Sequence, residues 1–213
     1  MEIVTREYKV YNYNELSEEA KEKVKQWYLD DDFKPQEFEN IYTEDLQYLF
    51  KNSDLKLQFS LSYCQGDGLN IYGKLDLMDV INLINCKTSN GCCLDNFKNA
   101  LTKHEQKTIE SYMEACGREI KLPYNAHYCY CVADRTDFAD DWIEELECSR
   151  YKNIKVDTIR KLEKLVRNMF ESLSNTYEKY GYSFFYEVDD ETMEETCKAN
   201  EWKFLEDGTY FTA

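Results

Sequence analysis

Three side chains that can bind transition metals alternate along one short segment, in the order His127, Cys129 and Cys131. On a β-strand every second side chain points to the same face, so one imidazole nitrogen and two thiolates would converge there. A structural zinc site needs a fourth ligand, usually from a paired C-x-x-C or H-x-x-x-H spacing, and neither occurs here. Cys148 could supply that ligand in principle. Small buried thiols beside a core histidine are the commoner arrangement, so we expect no metal and no cofactor.

Nucleophilic catalysis has equally few candidates. His104 and His127 are the only imidazoles in the chain, and His104 lies in a charged helical stretch. A cysteine nucleophile paired with His127 stays open, although a chance pairing is easy in a chain with nine cysteines. The adjacent Cys92 and Cys93 are weaker candidates because neighbouring side chains diverge. Paired carboxylates are too abundant to mark a catalytic pair, and charge runs of this kind are normally solvated.

A Gly-Asp-Gly loop stands out by its setting. Its simplest interpretation is a hairpin turn, and it lacks the pattern of a phosphate-binding loop. Ser60 and Ser62 precede it, however, and further polar residues follow it on the face opposite a Leu/Phe stripe. A polar patch at one end of the sheet that recognises a ligand or partner is therefore the second interpretation. Its candidate binding residues are Gln65, Gly66, Asp67, Gly68, Asn70 and Tyr72.

The overall charge limits the class of partner. The 42 acidic and 26 basic residues give a formal net charge of −16. Such a chain is repelled by nucleic-acid phosphates and by anionic membranes, so we expect neither as a direct partner. Two interpretations stay open: a solvated surface, or carboxylates from 30–32, 137–147 and 187–195 presented to a basic groove of another protein. The acidic binding candidates are Asp30, Asp31, Asp32, Asp140, Asp141, Glu144 and Glu145.

The cysteines and the hydropathy pattern indicate a cytoplasmic protein. The cysteine count is odd and several cysteines lie within apolar periodic runs, which favours reduced thiols over disulfides. The first residues lead into polar sequence without a signal-peptide pattern. No apolar run approaches the roughly 18 residues that cross a bilayer.

Hydrophobic periodicity predicts the elements that would position these residues. The clearest is a hairpin in which apolar residues alternate over 55–63 and again over 69–77, around a turn at 64–68. Further strands are predicted over 7–13, over 119–133 with a central strand at 126–133, and over 182–188. One predicted helix begins at the Ser17 cap and ends at residues 30–32, and a second begins near Pro35. Further helices are predicted over 79–85, 95–116, 137–147, 156–180, with Gly181 at its end, and 190–197. A turn at 89–91 and a small hairpin over 200–211 complete the series.

These elements predict a single α+β domain over residues 1–213, a mainly antiparallel sheet packed by several helices. Three segments also carry a resemblance: 11–23, the hairpin SLSYCQGDGLNIYG within 59–73, and a tail made of 179–182 and 200–208. They resemble a group of small phage and mobile-element proteins of low-GC Gram-positive bacteria. Members of that group carry no functional label or the loose label "antitoxin of toxin–antitoxin stability system". The resemblance implies a phage or prophage context and supplies no catalytic residues.

Three functions follow as hypotheses. The favoured one is a phage-encoded, acidic binding protein that inhibits a host factor, in the manner of an anti-CRISPR inhibitor, by presenting negative charge to a basic nucleic-acid-binding surface. The second is an antitoxin-like partner of a neighbouring toxin. The third is a small enzyme that uses either the Gln65/Asp67 loop or the segment with His127, Cys129 and Cys131.

Overall fold

The computed structural model describes residues 6–30, 32–87, 93–149 and 151–212. Within these ranges the chain forms seven α-helices and one three-stranded antiparallel sheet, so the predicted α+β class is confirmed. The helices are α1 (Glu18–Leu29), α2 (Lys34–Leu49), α3 (Leu77–Asn85), α4 (Lys103–Cys116), α5 (Ala139–Cys148), α6 (Val156–Tyr186) and α7 (Asp190–Ala199). The strands are β1 (Asp54–Ser60), β2 (Gly68–Asp76) and β3 (Glu119–Leu122).

The chain divides into two compact units. Met1–Glu37 and Tyr182–Ala213 form the terminal unit, and Phe38–Gly181 form the central unit. The division falls inside α2 and inside α6, so both helices continue from one unit into the other. That residues 1–213 form a single domain stays a prediction.

The sheet of the central unit has the strand order β1-β2-β3. In the β1–β2 hairpin, Leu57 lies opposite Ile71 and Gln58 lies opposite Asn70. The alternating Leu55 and Leu57 are buried, as the period-two pattern predicted. Pairing ends at Ser60 rather than at residue 63, because the chain then turns away into the loop.

The inner face of α6 is the longest apolar stripe of the central unit. Its residues Ile159, Leu162, Val166, Met169, Phe170 and Leu173 are almost completely buried. The predicted end at Gly181 and the predicted strand over 182–188 are wrong, because the helix continues to Tyr186. Gly181 is small for another reason. A Cβ there would overlap Leu61 Cδ1 and lie 3.0 Å from Phe38 Cζ.

The predicted central strand over 126–133 is also wrong. After β3 the chain runs without regular structure from Pro123 to Val132, and a short 3-10 helix covers Ala133–Arg135. Several of its backbone groups pair with amide side chains instead of a neighbouring strand. Asn70 bonds both ends, receiving the Val132 N–H at 3.0 Å and donating to the Pro123 carbonyl at 3.0 Å. We call residues 123–132 the cover segment.

Two other boundaries differ from the sequence prediction. Helix α4 begins at Lys103 rather than at 95, because Thr102 and Glu105 form a reciprocal capping box. Residues Cys93–Phe97 form a short 3-10 helix instead. The predicted turn at 89–91 lies outside the described residues.

Helix α5 is capped by a side chain from another helix. Glu163 of α6 is buried, and its Oε2 accepts the Phe138 N–H at 2.9 Å and the Ala139 N–H at 2.8 Å. Its other oxygen pairs with Arg167 at 2.7 Å. A carboxylate at a helix N-terminus satisfies orphan donors and favours the helix dipole.

The terminal unit is built around α1 and α7. Ser17 caps α1 by accepting the Ala20 N–H, and Asp189 caps α7 by accepting the Thr192 N–H. Its buried core consists of Tyr13, Leu16, Ala20, Val24, Met193, Cys197 and Phe204. The predicted strand over 7–13 is wrong: only Tyr11 pairs, in a single bridge to Phe204. The tail turns back near Gly208, as predicted, and Phe204 also bridges to Tyr210.

Candidate binding site

Asp67 of the hairpin loop is used within the loop itself. Its carboxylate accepts the Ser60 hydroxyl at 2.7 Å, the Ser62 N–H at 2.6 Å and the Cys64 N–H at 2.9 Å. It also accepts the Cys64 thiol at 3.0 Å. These donors, the Cys64 thiol first and the Ser60 hydroxyl second, hold the pKa of Asp67 well below its usual range. The same bond to Asp67 raises the pKa of the Cys64 thiol. Asp67 is therefore an anion that fixes the shape of the loop.

The two loop glycines admit the tyrosines of the cover segment. Gly66 has a φ of 91°, and a Cβ there would overlap the ring of Tyr128, with Cε1 at 2.9 Å. At Gly68 a Cβ would come within 2.7 Å of Tyr130 Cα. The Gly66 carbonyl accepts the Cys129 N–H at 2.9 Å. The glycines thus serve close packing as well as the turn.

The other polar candidates of the hairpin have different surroundings. Asn70 is fully buried and bonds the cover segment through both polar atoms of its amide. Tyr72 is half-buried, and its ring meets that of Tyr124 edge-on with a centroid separation of 5.0 Å. Gln65 remains exposed at the loop tip. The structure therefore brings most of the predicted patch under the cover segment.

Sequence reasoning missed the residues that form this junction. Gln58 donates to the Asn125 carbonyl at 2.7 Å, and Asn125 donates to the Tyr130 carbonyl at 3.1 Å. The rings of Tyr128 and Tyr130 stack with a centroid separation of 5.5 Å and an angle of 22°. The sequence signal for this stack was the spacing of two residues between Tyr128 and Tyr130. The pattern was instead interpreted as a strand with two apolar faces. In the structure, the exposed tyrosines 63, 124, 128 and 130 show between 40% and 71% of their surface.

His127, Cys129 and Cys131 do not converge on one strand face, because the strand does not exist. His127 is exposed, whereas Cys131 is partly buried and accepts the Ala133 N–H. Burial raises the pKa values of the Cys129 and Cys131 thiols, which disfavours the thiolates that catalysis or metal binding would use. Among the described residues, no group of three His, Cys, Asp or Glu side chains could hold a metal ion.

The acidic candidates lie in both units. In the central unit, Asp140, Asp141, Glu144 and Glu145 are exposed on α5, opposite the buried Trp142 and Leu146, and Asp140 pairs with Arg160 at 2.7 Å. In the terminal unit, Asp30 ends α1 and Asp32 follows it, both exposed. Asp31 lies outside the described residues.

Negative charge is concentrated in the terminal unit. The sequence of this unit contains 19 acidic and 8 basic residues, a formal charge of −11, whereas the longer central unit has 23 and 18, a formal charge of −5. Three lysines of α1 are already paired within the unit, Lys21 with Glu18, Lys23 with Asp207, and Lys25 with Glu22 and Asp190. Lys34 is buried, 4.3 Å from the centroid of the Tyr28 ring. Exposed carboxylates therefore outnumber exposed free cations on this unit.

The fold and these surfaces define an α+β protein in which loop polar groups hold the chain together and one unit carries most of the charge. Comparison with known protein families, with curated proteins and with solved structures finds no match. Within the described ranges, no helix combines the length and the apolar character needed to cross a membrane.

Proposed function

We propose that this chain is a binding protein that presents negative charge to a basic, nucleic-acid-binding surface of a host protein and so inhibits it. The single observation that carries the proposal is the formal charge of −11 on the terminal unit. Such a charge attracts basic surfaces at long range and accelerates association, while it repels nucleic acid itself.

The ion pairs of the terminal unit support this proposal. Because Lys21, Lys23 and Lys25 are paired internally, they hold the scaffold without neutralising the remaining carboxylates. In the described part of the chain, the exposed Glu195 and Glu206 have no cationic neighbour within 4.0 Å. Carboxylates of this kind are available to the lysines and arginines of a partner.

The sequence resemblance adds a biological setting to the proposal. A phage or prophage protein with this charge would serve as an anti-defence inhibitor that occupies the nucleic-acid groove of a host defence factor, in the host cytoplasm. The antitoxin hypothesis uses the same charge against a toxin encoded beside it. The identity of the captured partner separates the two: a toxin partner whose lethality the chain relieves supports the second.

The test is affinity capture from a lysate of a low-GC Gram-positive bacterium at about 50 mM and about 500 mM salt, which bracket strong and weak screening of surface charge. Each captured protein is then tested for displacement of its nucleic acid by the chain. We expect basic nucleic-acid-binding proteins at low salt, reduced recovery at high salt, and competition with nucleic acid.

Charge-reversal variants provide the matched control. Glu195→Lys with Glu206→Lys changes the terminal unit, whereas Glu110→Lys with Glu114→Lys makes the same change in charge on the exposed face of α4. Capture should fail for the first pair and persist for the second. Equal loss with both pairs, or capture that is indifferent to salt, would contradict the proposal.

A further inference from the structure

A second surface in the central unit has the chemistry of a receptor for one cationic side chain. It is a cleft of about 370 Å³ between residues 130–135 and the outer face of α6. The residues that line it and matter here are Tyr130, Asp134, Arg135, Glu171, Asn175 and Glu178. Three carboxylates and one guanidinium therefore line the cleft, which leaves it with an excess of negative charge.

Glu178 is the most deeply placed of these carboxylates. It is half-buried, and burial raises its pKa. A hydrogen bond from the Leu69 backbone opposes this rise, and the charge of Asp67 adds to it. The described residues place no Lys, Arg or His within 4.0 Å of Glu178, nor an acidic partner that close to Arg135. A partly desolvated carboxylate gains more from an incoming cation than a fully hydrated one does.

An unpaired polar atom lies beside the same cleft. Ser174, on α6 between Glu171 and Glu178, is 1% exposed, and its Oγ has no hydrogen-bond partner in the described structure. Ser174 is not among the residues that line the cleft, and its hydroxyl lies next to the thiol of Cys131, which does line it. The Ser174 hydroxyl therefore packs behind the wall of the cleft and is not exposed to a ligand.

An aromatic wall completes the arrangement. Tyr130 lines the cleft, and Tyr128 stacks on Tyr130. The Tyr128 ring packs on Gly66, the Tyr130 backbone packs on Gly68, and Asn125 donates to the Tyr130 carbonyl. A rigid, half-exposed aromatic pair beside carboxylates matches a planar cation, which can stack on a ring and bond a carboxylate at the same time.

We propose that this cleft receives an arginine side chain of the protein partner, with its guanidinium between the Tyr130 ring and the carboxylates of Glu171 and Glu178. The inference rests on the proposed function, and it makes the central unit the point of specific recognition. Nucleobases also stack on tyrosine, but a cleft with excess carboxylate repels the phosphates that accompany them. Lysine lacks the planar, delocalised group and is the weaker ligand for such a wall.

The probe is a short, blocked Gly/Ser peptide that carries one arginine, titrated into the isotope-labelled full chain and followed by NMR. The same peptide with lysine or with citrulline in place of arginine gives the comparison, and a single-stranded oligothymidylate tests the nucleic-acid alternative. We expect saturable shifts at residues 128–135 and 171–178, strongest with arginine and absent with citrulline.

Two sets of variants test the assignment. Glu171→Gln with Glu178→Gln should weaken arginine binding about tenfold, the loss of about 1.4 kcal/mol of charge-assisted bonding, while Glu195→Gln with Glu206→Gln should change it less than about twofold. Arg135→Gln should strengthen binding, because it removes the guanidinium that competes for the cleft. Unchanged melting temperatures confirm that these proteins are folded.

Chemical shifts confined to the terminal unit, or binding of the citrulline peptide, would overturn the inference. So would binding of oligothymidylate at the same residues, or a Glu195→Gln/Glu206→Gln variant that weakens arginine binding as much as the Glu171→Gln/Glu178→Gln variant does. If the arginine peptide does not bind but salt-sensitive capture through the terminal unit persists, only the arginine site is refuted. If the arginine peptide binds but capture does not depend on the charge of the terminal unit, only the proposed function is refuted.

Discussion

The Tyr128 ring lies directly over Gly66, whose missing side chain leaves the space that the ring occupies. The φ of Gly66 is 91°, a left-handed conformation that other residues adopt at a cost. Two separate requirements therefore meet at one glycine: the backbone conformation of the loop and the close approach of the cover segment.

Gly66→Ala should destabilise the chain by about 2 kcal/mol, since it strains the backbone and displaces Tyr128. Gly117, at the end of α4, is the matched control: its φ is 81°, but apart from its chain neighbours no atom lies within 4 Å of an added Cβ. Gly117→Ala should therefore cost only about 1 kcal/mol. Urea unfolding of both variants measures the difference, and equal costs would show that Tyr128 moves freely.

Asn70 should be the most sensitive polar residue of the hairpin. Asn70→Leu keeps the approximate volume but leaves the Val132 N–H and the Pro123 carbonyl unpaired in the interior, at a cost of about 2–4 kcal/mol. Hydrogen exchange at Val132 should accelerate together with this loss. The exposed amide in the loop of the same hairpin gives the control: Gln65→Ala should change stability by less than about 0.5 kcal/mol. Protection at Val132 that survives in Asn70→Leu would refute this account.

Gly181→Ala separates helix propensity from packing. Propensity alone predicts a gain of about 1 kcal/mol at a position within α6. The added Cβ would overlap Leu61 Cδ1 and lie 3.0 Å from Phe38 Cζ, so we expect a net loss of about 1–3 kcal/mol instead. In a Leu61→Ala background the same substitution should cost less, which a double-mutant cycle on unfolding free energies measures. A gain in stability from Gly181→Ala alone would mean that Leu61 and Phe38 move aside to accommodate the added Cβ.

Glu105 should make part of the stability depend on acid. Its bonds to Lys161 and to the Thr102 N–H lower its pKa from 4.5 to about 2. A carboxyl whose folded pKa is depressed contributes stability above its unfolded pKa and loses it as the pH falls through the folded value. Thermal unfolding between pH 7 and pH 3 should therefore show that the difference in stability between wild type and Glu105→Gln narrows below about pH 4.5. Lys161→Met should remove the same difference in stability. A difference that does not depend on pH would exclude the proposed role of Glu105.

Local patterns predicted the elements whose determinants are local. The hairpin followed from the alternation at Leu55 and Leu57, and α1 followed from the Ser17 cap and its periodic face. Gly181 was misread because a glycine after an apolar helix is typical of a helix end, whereas here Phe38 and Leu61 require it. That requirement comes from residues more than a hundred positions away and leaves no local signal.

The candidate site shows the same limit. The polar residues of the hairpin could be picked out, because Ser60 and Asn70 alternate with apolar residues and Asp67 lies in the turn between the strands. Their partners could not be predicted, since Asn70 bonds residues more than fifty positions later in the chain. The cover segment has strand-like composition, but side-chain amides take the place of a neighbouring strand. Likewise, the charge of the terminal unit emerges only when the two ends of the sequence are counted together.

The Glu163 cap on α5 has a consequence for the order of folding. The donors at Phe138 and Ala139 precede the acceptor by 25 and 24 residues, and that acceptor lies on α6. During synthesis the ribosome therefore releases the start of α5 before the carboxylate that completes it exists. Short isolated helices are marginal in water, so α5 forms only when α6 docks, and a peptide of residues 137–149 on its own stays unfolded.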